Sequence, residues 1–466
     1  MPEMVTLFPH PPIVLPEVGN KESAKVSTTY RAMEKLAQEI VDLNPEVIVA
    51  VSPHGPVFSD AFTVNALDSL QGDMASFRAP QVKVAFSSAP EEREAILAEC
   101  RRHQLFCVPL EKDSYQKYKL SEQLDHGLVV PLSFLYRLGW RGKLLPVHLA
   151  FLSYEELYEF GKCISNALEK LKISWVFLAS GDLSHRLQQG APAGYSPRGA
   201  VFDENIRQCI REGDVKRLLN IEPELVEDAG ECALRPFIMA LGVLDGYAVE
   251  AEELSYEGPF GVGYMVARLK KGPRLPEREL CTSLYRERSE RIKKVIEGES
   301  LPVSLARQSL REYLTTGQYL QVPQNVGELL QKKAGAFVSL KKHGQLRGCI
   351  GTIMPTRSNL AEEIIYNAVS AAVQDPRFTP VSLEELEELT ISVDVLEKPE
   401  KIASLAELDP QVYGVIVSRG ARRGLLLPDL PGIDTAEEQV EIAKQKAGIG
   451  AGESVELERF KVTRYV

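Results

Sequence analysis

No C-x-x-C pair occurs in this sequence; its seven cysteines, Cys100, Cys107, Cys163, Cys209, Cys232, Cys281 and Cys349, are scattered and odd in number. That pattern argues against a disulfide framework and against a structural zinc site. Long apolar runs are missing too: none approaches the roughly 20 residues that span a bilayer, so no membrane partner is expected. There is no block of Lys and Arg, and 54 basic against 65 acidic side chains leave a formal charge of −11, a poor basis for binding nucleic acid. Internal repeats and low-complexity tracts are absent. Met1-Pro-Glu-Met4 runs straight into a strand-like segment with no basic region ahead of it, so a secretory signal is not expected and the expected location is cytoplasmic. What remains, at 44% hydrophobic and 26% charged residues, is ordinary globular composition in a chain of 466 residues, long enough for two domains.

Strand-like and helical patterns alternate through the first 270 residues. Met4–Phe8, Glu46–Ser52, Lys143–Ala150 and Ser174–Ser180 read as buried strands, and Gly261–Leu269 as a closing one. Between them, Ser27–Leu43 repeats Met33, Leu36, Ile40 and Leu43 at helical spacing, and Tyr154–Leu171 reads as a second helix. This order predicts an α/β domain over 1–272, a mixed sheet flanked by helices. Residues 273–300 are charged and poor in strand formers, as in a linker that is partly a solvated helix. From 301 to 466 the pattern becomes that of a smaller α+β domain, with helices near Ser304–Leu314 and Leu360–Val373 and strands at Ala336–Lys341 and Leu389–Val395.

Histidines stand out in the first domain. His10 lies between prolines after Met4–Phe8, His54 in Pro53-His54-Gly55 after the second strand, and His185 closes Gly181-Asp-Leu-Ser-His185 after the fourth. If those strands run the same way, the three imidazoles gather over one sheet edge, where α/β sheets bind ligands. His126, in Asp125-His126-Gly127, shares the breaker-rich context; His103 and His148 do not. Imidazole suits zinc, copper, iron and nickel, and two histidines with one carboxylate form the facial site of non-haem Fe(II) enzymes. Glu231, after a glycine and before the apolar helix Phe237–Leu244, can supply that carboxylate or simply cap the helix.

Pro9-His10-Pro-Pro, Ser52-Pro-His54-Gly, Asp125-His126-Gly127 and Gly181-Asp-Leu-Ser-His185 together resemble the class III extradiol ring-cleavage dioxygenases, the LigB-like family that includes the MEMO proteins, over about residues 1–270. The resemblance implies Fe(II) held by His10, His54 and Glu231, with His185 as acid/base and His126 as a further active-site histidine. MEMO-type members resemble the segment around Gly230-Glu-Cys-Ala-Leu-Arg-Pro236 and place a cysteine, here Cys232, at the metal pocket. Cys232 is therefore the alternative to Glu231, and a thiolate favours softer metals, zinc or copper.

In the second domain Gln345-Leu-Arg-Gly-Cys-Ile-Gly-Thr352 follows a strand. Arg347 and His343 are cations that could favour a Cys349 thiolate, and Gly348 and Gly351 permit close approach of a backbone; a buried cysteine in a tight strand is the plainer alternative. With Asp375-Pro-Arg-Phe-Thr-Pro380 and Gly424-Leu-Leu-Leu-Pro428, the segment resembles the AMMECR family. Asp375-Pro376 also serves simply to stop a helix. The order of the two modules resembles that of AmmeMemoRadiSam systems, which implies a radical SAM protein as partner; this chain has no C-x-x-x-C-x-x-C run of its own. Three functions are expected to compete: a metal-dependent oxidoreductase of extradiol-dioxygenase type acting on an aromatic or macromolecular substrate, a non-catalytic metal- or peptide-binding scaffold, and a Cys349-dependent transferase or hydrolase.

Overall fold

The computed structural model describes residues 2–466 apart from 104, 343, 344, 421 and 430–432. The chain divides into two units, Met1–Tyr285 and Arg286–Val466.

In the first unit β1 (Met4–Phe8), β2 (Val47–Ser52) and β8 (Trp175–Ser180) are buried at every position, as strands covered on both faces must be. The others are β3 (Phe62–Asn65), β4 (Ser69–Met74), β5 (Ala79–Ser87), β6 (Cys107–Leu110), β7 (Lys143–His148), β9 (Tyr247–Glu257) and β10 (Tyr264–Arg274). Eight strands form one mixed sheet in the order β6-β3-β7-β2-β8-β1-β10-β9, while β4 and β5 pair separately. Its centre, β7-β2-β8-β1, is parallel throughout, so these strands end at the same edge. Successive residues along a strand serve opposite faces. Val5, Leu7, Val47 and Val49 pack with Ile96, Phe160 and Phe237 on one side, and Met4, Phe8, Ile48 and Ala50 with Met33, Leu36 and Leu128 on the other.

On the first of these faces the helices Tyr154–Leu171 and Leu234–Val243 approach through glycine. A Cβ at Gly161 would lie 2.1 Å from the Met239 carbonyl oxygen, and one at Gly242 would lie 2.0 Å from that of Tyr158. Leu234–Val243 begins immediately after the Glu231–Cys232 turn, so this packing also positions that turn.

Residues 273–300 hold the end of β10, a single turn at Pro276–Arg278 and the helix Leu280–Glu297. The Asp245 carboxylate accepts the Leu280 N–H at 2.8 Å at the start of that helix.

The second unit has two four-stranded antiparallel sheets. The first contains β11 (Ala336–Lys342), β12 (Gln345–Gly351), β13 (Leu389–Leu396) and β18 (Val462–Tyr465), ordered β12-β11-β13-β18. The second contains β14 (Glu400–Ile402), β15 (Gly414–Arg419), β16 (Arg422–Leu426) and β17 (Glu456–Phe460), ordered β14-β17-β15-β16. Helices Leu301–Thr316 and Leu360–Val373 close one core over the first sheet. Among the described residues no helix is long and apolar enough to cross a membrane.

Candidate metal centre

Because β2, β8 and β1 are adjacent and parallel, His54, His185 and His10 leave the same sheet edge side by side. Prolines on either side stop β1 from continuing and hold the buried His10 at its end. The Nε2 atoms of His10 and His54 lie 3.0 Å apart. Cys232 Sγ is 3.6 Å from His10 Nε2 and 3.8 Å from His185 Nε2. His126 stacks on His54 with ring centroids 4.4 Å apart and stands 5.5 Å from the His10 ring. Accessibility rises outward, from buried His10 through half-buried Cys232, His126 and His185 to exposed His54, so the cluster opens to solvent.

Among the described residues His10, His54 and Cys232 form the group whose ligating atoms all fall within 4.8 Å of one another. At the turn where sequence favoured Glu231 over Cys232, it is thus the sulfur that joins the histidines. The Glu231 carboxylate instead accepts the Leu234 N–H at 2.7 Å and caps the helix that starts there; burial pushes it up to about 7. Asp182, in the Gly181–His185 segment, links the parts. Its carboxylate accepts the His10 N–H at 2.8 Å, its N–H meets Cys232 Sγ at 3.3 Å, and its carbonyl accepts the Cys232 N–H at 3.1 Å. Burial raises Asp182 to about 7, against the pull of the His10 N–H.

The donor set fits a cation. Nitrogen and sulfur donors at about 2.0–2.3 Å around a tetrahedral ion stand roughly 3.3–3.6 Å from each other, close to the 3.0 and 3.6 Å that separate His10 Nε2 from His54 Nε2 and Cys232 Sγ. Burial, followed by the charges of His54, His126 and His185, holds His10 well below its ordinary value; burial likewise lowers His54 against the opposing pull of Asp125. Neutral imidazole is the ligating form. Burial and then Asp182 push the Cys232 thiol up, and a bound cation is what reverses such a shift. Of the other histidines, His103 pairs with Glu99 and Glu159, and buried His148 meets Thr63 Oγ1 at 2.9 Å.

In the second unit Cys349 sits on edge strand β12. Its N–H goes to Asp375 Oδ2 at 2.9 Å and its carbonyl receives Arg377 Nη2 at 3.3 Å, so two side chains replace the strand that is missing there. Gly348 lies against Ala371, whose carbonyl oxygen a Cβ would meet at 2.1 Å; Gly351 lies against the Phe337 ring. Of the two sequence readings of Cys349, a low-pKa thiol or a buried cysteine in a tight strand, the surroundings resemble the second. Burial raises the Cys349 thiol despite Ser339 Oγ at 3.2 Å and nearby Arg377. Arg347 is turned away to Glu385 at 2.7 Å, and His343 lies outside the described residues.

Asp375 has a measurable consequence. The Arg377 side chain above all, then the Cys349 and Arg377 N–H groups, hold its carboxyl down at about 2. A carboxyl depressed on folding stabilises above its unfolded value near ~4 and loses that contribution as pH falls toward ~2. Arg377 is 54% exposed, and solvent screening reduces the contribution to about 1–2 kcal/mol. Asp375→Asn is expected to cost that much at pH 7 and to flatten the second unit's stability between pH ~4 and ~2. Urea unfolding of the whole chain across that range checks it; an unchanged slope refutes the assignment.

Comparison with known proteins follows the same division of the chain. A family model described as the catalytic LigB subunit of aromatic ring-opening dioxygenase matches residues 4–267, and the AMMECR1 model matches residues 303–465. Protein CA_C1420 of Clostridium acetobutylicum is 42% identical over 461 residues, 98% of either chain. A Thermotoga maritima protein is 52% identical over 171 residues, which are 36% of this chain and 98% of its own. The crystal structure of protein PH0010 from Pyrococcus horikoshii covers 36% of this chain and 90% of its own at 35% identity, with a TM-score of 0.34.

Proposed function

The chain belongs to the LigB family and carries an AMMECR1 domain behind its LigB domain, and from that premise we propose that its first unit is a metal-dependent oxidoreductase of extradiol-dioxygenase type. The observation that carries this reading is the convergence of His10 Nε2, His54 Nε2 and Cys232 Sγ at the solvent-open edge of the sheet. The proposed resident metal is Fe(II), with copper and zinc as the competitors that the sulfur donor favours. Held by His10, His54 and Cys232, Fe(II) would supply the redox chemistry between a catecholic diol and dioxygen.

The protein's own groups do the rest. Neutral His185, half-buried beside Cys232, is placed to accept a phenolic proton at Nε2 and later return it. Burial and then the charge of His54 lower its pKa, which keeps the ring in the accepting form at neutral pH. His126, stacked on His54, walls the other side. The proposed substrate is aromatic, free or carried on a macromolecule, and the proposed partner is a radical SAM protein of an AmmeMemoRadiSam system, since this chain has no cluster-binding cysteine run. Co-purification from the native host tests the partner.

Oxygen consumption with a catechol series tests the activity. Wild-type protein loaded with iron is expected to turn over, and His185→Ala to keep its metal while losing about 10²–10⁴-fold in rate, the usual weight of general acid–base catalysis. A second reading, a metal-binding scaffold without turnover, is favoured by the sulfur in place of a carboxylate. Iron bound stoichiometrically with no oxygen uptake on any catechol would select it.

A further inference from the structure

The Asp125-His126-Gly127 turn reaches both histidines of the metal centre through two serines that end parallel strands, Ser180 on β8 and Ser52 on β2. The Ser180 hydroxyl donates to the Gly127 carbonyl, and the same oxygen lies 2.8 Å from His10 Nδ1. A hydroxyl has one proton and a carbonyl can only accept. That proton is therefore committed to Gly127, and the imidazole has to be the donor in the contact with Ser180. His10 thus carries its proton on Nδ1 and leaves Nε2 bare, and Nε2 is the atom 3.0 Å from His54 and 3.6 Å from Cys232.

Ser52 does the corresponding work for the second histidine. Its hydroxyl donates to Asp125 Oδ1 at 2.6 Å and accepts the His54 N–H at 3.1 Å, which fixes the backbone from which the ring projects. The contact needs glycine beside it: a Cβ at Gly127 would stand 2.3 Å from Ser52 Oγ and 2.8 Å from Asp125 Oδ1. These groups are held in place, since Ser52 and Ser180 are buried and Gly127 lies in the first turn of the helix His126–Arg137.

We infer that the Asp125–Gly127 turn, through Ser180 and Ser52, sets the tautomer of His10 and the placement of His54 for cation binding, which makes both serines positioning residues. This rests on His10 and His54 being ligands. A neutral imidazole in solution can hold its proton on either nitrogen, and one held on Nε2 must leave before that atom can bind a cation. The hydrogen bond to the far nitrogen removes that obstacle in advance and adds basicity to the ligand.

Long-range proton–nitrogen correlation spectra of the full chain, histidine-labelled, treated with chelator and assigned with His10→Gln, read the tautomer without any metal. Wild type is expected to show His10 protonated at Nδ1 alone, and Ser180→Ala to show it protonated at Nε2 in part or in full. Zn(II) affinity, measured by chelator competition, is expected to fall about 10–100-fold in Ser180→Ala and to recover in Ser180→Thr, which keeps the hydroxyl. Ser52→Ala is expected to weaken Zn(II) binding while leaving the His10 tautomer unchanged. His10 protonated at Nε2 in wild type overturns the inference, whatever the serine variants do. An unaltered Zn(II) affinity in Ser180→Ala overturns it as well. A wild-type chain that shows the expected tautomer and binds no metal at all defeats the reading of the ligands instead.

Discussion

His10→Ala, His54→Ala and Cys232→Ala are each expected to weaken metal retention on the order of 10²–10³-fold. Four-ligand zinc sites bind with roughly 10–16 kcal/mol, so one ligand is worth about 3–4 kcal/mol, and each 1.4 kcal/mol is tenfold. Metal content after dialysis against a graded chelator series reads the effect. Two further variants decide which side chain completes the set. Glu231→Gln is expected to keep its metal, because the carboxylate is engaged by the Leu234 N–H and an amide oxygen can accept that bond. His103→Ala, which breaks the contacts with Glu99 and Glu159, is the control for loss of a histidine as such. Metal lost from Glu231→Gln and kept by Cys232→Ala would reverse the assignment and restore a facial carboxylate. Full retention in both His10→Ala and His54→Ala would remove the centre altogether.

The histidines were legible because their signal is local. A buried apolar strand followed at once by proline or glycine has to end, and three parallel strands that end this way bring three imidazoles to one edge. The choice between Glu231 and Cys232 was not local. The two are neighbours in one turn, and which of them turns toward His10 and His54 depends on Asp182, about fifty residues earlier, pairing with the Cys232 backbone while the start of the next helix draws in the Glu231 carboxylate. Ser52 and Ser180 were invisible for a related reason: each reads as the polar last residue of a strand, and only the fold shows the Asp125–Gly127 turn beneath them. Strands β3 and β6, four residues each, carry too little periodicity to be read from sequence. In the second unit the sequence around Cys349 left chemistry and plain packing both open, and the packing is visible only in the fold: Gly348 and Gly351 sit against neighbouring elements, and Asp375 and Arg377 close an edge strand.

Packing far from the cluster carries the second large expectation. Gly161→Ala would place a methyl group 2.1 Å from the Met239 carbonyl oxygen and 3.0 Å from the Val243 nitrogen, and Gly242→Ala one 2.0 Å from the Tyr158 carbonyl oxygen. These are backbone atoms, which cannot rotate aside as a flexible side chain does, so the helices Tyr154–Leu171 and Leu234–Val243 have to separate. Overpacking of this kind costs about 2–3 kcal/mol, which for a unit of this size lowers Tm by roughly 3–6 °C. The shift has a functional direction, because Leu234–Val243 is the helix that Glu231 caps and that starts two residues after Cys232. Either glycine variant is therefore expected to lose metal affinity together with stability, although neither residue touches the centre. Leu241→Ala separates the two effects: it leaves a cavity costing about 2–5 kcal/mol on the same helix without driving the pair apart, so it should lower Tm and leave metal affinity near wild type. Equal losses of affinity in Leu241→Ala and Gly161→Ala would mean that the centre responds to global stability alone, and the proposed mechanical link from the glycine contact through the helix to Cys232 would fall.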